Sequence, residues 1–109
     1  MRTIGFLALV ALVLPWPAFA QADAARGEKV YAEQKCAVCH SIAGKGNPKG
    51  PLDDIGSRLS AEEIRLWIVD PAAMTAKTKA ARKPPMRAYP SLAKDDLAAL
   101  VAYMQSLKK

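Results

Sequence analysis

The chain has 109 residues, 51% of them hydrophobic, with 16 Lys and Arg against 10 Asp and Glu, two cysteines and one histidine. Such a length holds one small domain, and the donors are too few for a four-ligand structural zinc site. The formal net charge of +6 is spread out with no long basic run, which excludes a nucleic-acid tail and suits docking on acidic surfaces.

The first element in chain order is a leader. Met1-Arg2 is a short cationic start, Ile4 to Leu14 is an apolar run, and Ala18-Phe19-Ala20 offers an A-x-A cleavage site before Gln21. This is the pattern of a secretory signal peptide. The run is shorter than the ~20 apolar residues of a spanning helix, and Pro15 and Pro17 interrupt its extension. The expected organisation is a cleaved signal at 1–20 and a single domain at 21–109, exported to the periplasm and without stable membrane insertion. Phe6, Trp16 and Phe19 would leave with the signal, so the remaining domain is poor in large aromatics. A domain this small usually needs a disulfide, a metal or a cofactor to hold it.

Asp23 to Lys35 reads as a helix, with Asp23 as its cap and Gly27, Val30 and Tyr31 on one face. A glycine inside a helix costs up to ~1 kcal/mol relative to alanine, and a close approach by another helix would explain Gly27. Ser41 to Leu59 is dense in Gly and Pro and reads as a loop. A second helix starts at Ser60 with Glu63 completing a capping box, Leu59 and Ile64 as a staple, and Ile64, Trp67 and Ile68 as the buried stripe. Pro71 is expected to stop it. Ala72 to Ser91 reads as irregular, with a short helical turn allowed within Ala73 to Lys83. The last helix spans about Lys94 to Leu107, with Leu97, Leu100, Val101 and Met104 on one face and Tyr103 on its flank. With no alternating strand pattern, the class is all-α.

The chemistry centres on Cys36-Ala37-Val38-Cys39-His40. C-x-x-C-H is the spacing of c-type haem attachment. Two thiols must reach neighbouring vinyl groups on one porphyrin edge, and the next residue must put an imidazole beneath the iron. A thioredoxin-like redox pair would need a β-α context and a cysteine at a helix start, whereas these follow a helix end. A structural disulfide over so short a loop would remove little chain entropy.

From Asp23 to Lys109 the chain resembles a class I cytochrome c. The resemblance rests on CAVCH at 36–40, on Gly50-Pro51-Leu52, and on MRAYPSL at 86–92 followed by LAALVAYMQSL at 97–107. It implies the cytochrome c fold: three main helices and irregular loops wrapped around one haem c, covalently bound at Cys36 and Cys39. It further implies His40 and Met86 as the axial ligands of the iron. Pro51 would pack beside His40, its carbonyl accepting the imidazole N–H. The first and last helices would cross near Gly27 and Tyr31 on one side and Leu100 and Tyr103 on the other. Met74 and Met104 are the rival methionines, Met104 with a core role mid-helix. Arg58 and Trp67 are candidate partners of the haem propionates. The chain departs from the family pattern with Ala93 at the cap of the last helix, Arg87 directly after Met86, and a basic, Ala-rich stretch from Ala72 to Lys83.

Two axial ligands leave no open site for substrate, and a methionine ligand raises the reduction potential. The resemblance therefore implies a one-electron carrier rather than an enzyme, working as a monomer with redox partner proteins. Lys77, Lys79, Arg82, Lys83 and Arg87, with Lys45 and Lys49 nearby, are candidates for docking acidic partner surfaces. A dedicated haem subunit of a dehydrogenase or oxidase complex is the alternative. A small haem enzyme or gas sensor would require Met86 to leave the iron free.

Overall fold

The computed structural model of the chain describes residue 5 and residues 18–109. The cationic start and, apart from Gly5, the apolar run of the expected leader lie outside the described residues. Among those described, no helix is long and apolar enough to cross a membrane.

The first helix, α1, spans Ala18–Glu33. It begins ahead of Asp23, which is therefore a helical residue and not a cap. The Ala-rich sequence explains this, since alanine is the best helix former. It ends two residues before the expected Lys35, which sits in the left-handed region at φ 57° and turns the chain. Gly27, Val30 and Tyr31 are buried together, as their spacing predicts.

That buried face packs on the last helix, α5 (Lys94–Ser106). At Gly27 a Cβ would overlap the Ala99 carbonyl and crowd the Tyr103 side chain, so only glycine lets the two backbones meet. Beside it the Tyr31 and Tyr103 rings meet edge to face, with centroids 5.9 Å apart. Arg26 and Asp96 pair at 2.8 Å across the same crossing. The crossing joins the two residue groups named from the sequence.

Between these helices the expected loop from Ser41 to Leu59 contains three short elements. Strands β1 (Ser41–Ile42) and β2 (Lys45–Gly46) form an antiparallel pair, and α2 spans Ile55–Arg58. Strands of two residues are too short to leave an alternating pattern. Helix α3 spans Ala61–Val69 with the expected box: Glu63 N–H donates to Ser60 Oγ at 3.1 Å, and Ser60 N–H to Glu63 Oε1 at 3.0 Å. Ile64 and Ile68 are buried, while Trp67 is half-buried.

Pro71 does end α3, yet it also opens α4 (Pro71–Thr78). Asp70 serves both helices: its N–H closes α3 on Leu66 O, and its carboxylate accepts the Ala73 N–H. The short helical turn allowed within Ala73 to Lys83 is thus a true helix that starts earlier, at Pro71, because proline suits a first helical position whose N–H has no partner to lose. Irregular chain follows from Lys79, itself left-handed at φ 56°.

The three longest helices, α1, α3 and α5, with loops around a single hydrophobic cluster, make the expected all-α fold. Val30, Tyr31, Ile64, Ile68, Leu100 and Met104 form its centre. Five of these six also line one large cavity. The core is thus open on one side.

Candidate cofactor pocket

The turn that follows α1 supplies the reactive groups. Residues Cys36–Val38 form one turn of 3₁₀-helix, closed by Cys39 N–H to Cys36 O at 3.1 Å and His40 N–H to Cys36 O at 2.9 Å. This tight winding puts Cys36, Cys39 and His40 on the cavity wall together. The two thiols are free of one another. Burial pushes the Cys36 thiol up to about 11, with the nearby Cys39 adding to it. Cys36 therefore stays a neutral thiol.

His40 is half-buried, and its Nδ1 lies 3.0 Å from Gly50 O. A carbonyl can only accept, so Nδ1 carries the proton and Nε2 keeps its lone pair. Burial lowers the imidazole pKa, the Gly50 carbonyl works against that, and the Arg82 charge adds to the lowering. The acceptor corrects one expectation: Gly50, and not Pro51, provides the carbonyl facing the ring. The ladder explains the shift. Ser41 N–H donates to Gly50 O at 3.0 Å and Leu52 N–H to Ser41 O at 2.9 Å. Pro51 pairs with Ser41 in a parallel bridge and stays exposed, while Gly50 is buried. Fixing the ring through its second nitrogen orients it and raises its basicity as a ligand.

The cavity enclosed by these groups has a volume of about 350 Å³. Leu52, Ile55, Leu59, Ile64, Trp67 and Ile68 give it apolar walls. Met86 lines it, half-buried, with Pro84 and Pro85 alongside. Met74 is 4% exposed within the protein core and is not part of the lining. Met104 reaches the cavity from α5 as a member of the central cluster. Of the two candidate propionate partners, Trp67 is on the wall and Arg58 is not.

Several contributors carry no sequence signal. Gly50 acts through a backbone carbonyl, which any residue type possesses. Arg82 looks like one more member of a basic run, yet its Nη2 donates to Cys39 O at 2.6 Å. Tyr89 lines the wall and its N–H donates to Ile68 O at 2.9 Å. Tyr31, expected in the core at the helix crossing, also lines the wall; its hydroxyl is buried with no partner, and burial above all pushes its pKa up to about 12.

The residues present fit a haem. Apolar walls suit a planar apolar ring. Two thiols on one turn, an imidazole with a free nitrogen and a thioether are groups that could hold it. Among the described residues, no cluster of three or more His, Cys, Asp or Glu side chains is set to hold a bare metal ion.

The family model described as cytochrome c matches residues 24–108. The chain is similar to a cytochrome c oxidase subunit 2 of Alkalihalophilus pseudofirmus, with 32% identity over 92 residues. That alignment takes in 76% of this chain and 25% of the relative, so the chain spans about a quarter of the length of the curated protein it matches. No solved structure matched the chain.

Proposed function

The chain belongs to the cytochrome c family, and from that premise we propose that it is a periplasmic one-electron carrier in which His40 and Met86 are the axial ligands. Its cofactor is a covalently attached haem c, and its work is haem-based electron transfer, as in the family at large. When bound, the haem supplies a reversible one-electron iron couple.

The chain's own residues provide the rest. Cys36 and Cys39 are placed by one turn so that each would form a thioether link, its sulfur bonding one vinyl carbon and its proton passing to the other. His40 offers Nε2 while Gly50 holds Nδ1. Met86 offers a thioether from a segment stiffened by Pro84, Pro85 and Pro90. The apolar walls exclude water, which favours the less charged iron state. Because His40 and Met86 would both hold the iron, no position would be left for substrate, and the protein would act as a carrier rather than an enzyme.

The observation that carries this reading is that Cys36, Cys39, His40 and Met86 all line one apolar cavity. The test is a visible spectrum of oxidised and reduced protein, with and without carbon monoxide. A carrier stays low-spin in both states and resists carbon monoxide at neutral pH. Ready carbon monoxide binding would favour a haem enzyme or sensor.

The same reading includes export, with cleavage after Ala20, and intact mass of the secreted protein tests it. A second reading, a haem subunit of an oxidase complex, is favoured by the name of the relative, a cytochrome c oxidase subunit 2. Tight co-purification with an oxidase would support it, and a free monomer on size exclusion would oppose it.

A further inference from the structure

We propose that Arg82 is a positioning residue: its guanidinium straps the segment bearing Met86 onto the turn at Cys36–His40, and so sets how firmly Met86 is held at the haem. The proposal rests on the axial-ligand reading above.

Arg82 Nη2 donates to Cys39 O at 2.6 Å, bridging two distant parts of the sequence. The same guanidinium lies so close to Gly50 that a Cβ on residue 50 would strike it, along with the Cys39 carbonyl. Gly50 in turn supplies the carbonyl facing His40 Nδ1. Arg82 and Met86 both line the cavity. One guanidinium thus donates to the carbonyl just before the histidine and lies against the glycine whose carbonyl faces the ring, from the segment that carries the methionine.

The rest of that segment has little else to hold it. From Ala80 to Ala88 no backbone group enters a backbone–backbone hydrogen bond among the described residues. The next anchor is Tyr89, whose N–H donates to Ile68 O at 2.9 Å. A weak thioether ligand on such a segment depends on whatever limits its opening. A planar, always-charged fork can set one nitrogen against a glycine and donate from another at the same time, which an ammonium does not. Because Arg82 is exposed, its effect is on the frequency of local opening and not on global stability.

The test compares the holoprotein with Arg82→Gln, Arg82→Lys and Lys29→Gln, the last removing a charge from α1. Two rates are read: hydrogen exchange of the Tyr89 amide, and carbon monoxide binding to the reduced haem. Both are expected to rise about threefold to tenfold in Arg82→Gln, the range that one charge-assisted hydrogen bond at a surface supports. Arg82→Lys should recover part of the change, and Lys29→Gln should match the parent. Unchanged exchange in Arg82→Gln overturns the strap, whatever the carbon monoxide rate does. Equal changes in Lys29→Gln also overturn it, because net charge would then be the cause. Faster exchange in Arg82→Gln, in a parent that already binds carbon monoxide readily, upholds the strap and overturns Met86 as ligand.

Discussion

The methionines separate by burial and by what they face. Met74 is almost wholly buried in the core, Met104 packs from mid-helix, and Met86 lines the cavity from irregular chain. Met86→Ala is expected to abolish the sulfur-to-iron charge-transfer band, lower the potential and admit carbon monoxide. Met74→Ala should keep the band and lose about 2–5 kcal/mol of stability through the cavity left behind. A band lost in Met74→Ala and kept in Met86→Ala would reverse the assignment. Tyr31 permits a test in alkali. Its folded pKa of about 12 exceeds the ordinary 10.0, chiefly through burial. Between those values the unfolded phenol has lost its proton while the folded one keeps it. Folding stability therefore falls as pH rises through that window. Tyr31→Phe should flatten the fall in urea midpoint between pH 10 and 12, and an unchanged slope would show that other groups govern it. At this scale the motif residues were legible because their chemistry is in their side chains. The Gly50 carbonyl and the Arg82 contact were not, since a backbone acceptor has no residue type and a surface arginine resembles any other.

Among elements, the α1–α5 crossing was the most legible, because a costly glycine at a core-facing position asks for a close neighbour. Gly27→Ala gains up to ~1 kcal/mol in helix propensity, but its methyl meets the Ala99 backbone. Overpacking of this kind costs typically ~1–3 kcal/mol, so a net loss of stability is expected in a denaturant titration. A rise would mean that the helices slide apart easily. Caps offer a paired measurement. Ser60 caps α3 through its side chain, whereas Ala93 leaves α5 with no side-chain cap. Ser60→Ala should lose, and Ala93→Ser should gain, about 1 kcal/mol each. No rise in melting temperature for Ala93→Ser would show that water already serves that helix end. The start of α1 and the whole of α4 were harder to read. Proline is punctuation both before and at the start of a helix, and Asp70 ends one helix while beginning the next. Only the packing decides between those uses.

For the whole molecule, the open core has an energetic meaning. Most of the central cluster faces the cavity, so the cofactor is the missing half of the hydrophobic interior. The chain without haem is expected to be largely unfolded, with helical circular dichroism and amide dispersion regained only when the haem is attached. A well-folded haem-free protein would contradict this. The net basic surface implies salt-sensitive reaction with an acidic partner, because electrostatic reach shrinks to ~8 Å at physiological ionic strength. Rates flat with salt would leave the charge as solubilising only. Val38, 69% exposed beside the exposed Cys39, is a bare apolar spot at the attachment turn.

The crossing of α1 with α5 also has a mechanical consequence. It joins the N-terminal and C-terminal helices directly, through Gly27 and Ala99, the two tyrosines, and Arg26 with Asp96. Everything from Gln34 to Ala93 is then a loop closed by that junction, and the end of α5 also holds the loop directly, with Gly56 N–H donating to Leu107 O at 2.8 Å and Lys109 N–H to Asp54 Oδ1 at 3.0 Å. A pull applied along α1 and α5 would load the junction together with the contacts that tie the end of α5 to Asp54 and Gly56. Rupture of both sets would release the loop, and the thioethers would still tether the chain near residues 36–40 to the haem. Held by these two helices, this protein should behave as a latch with two catches, one at Gly27 and one at Gly56.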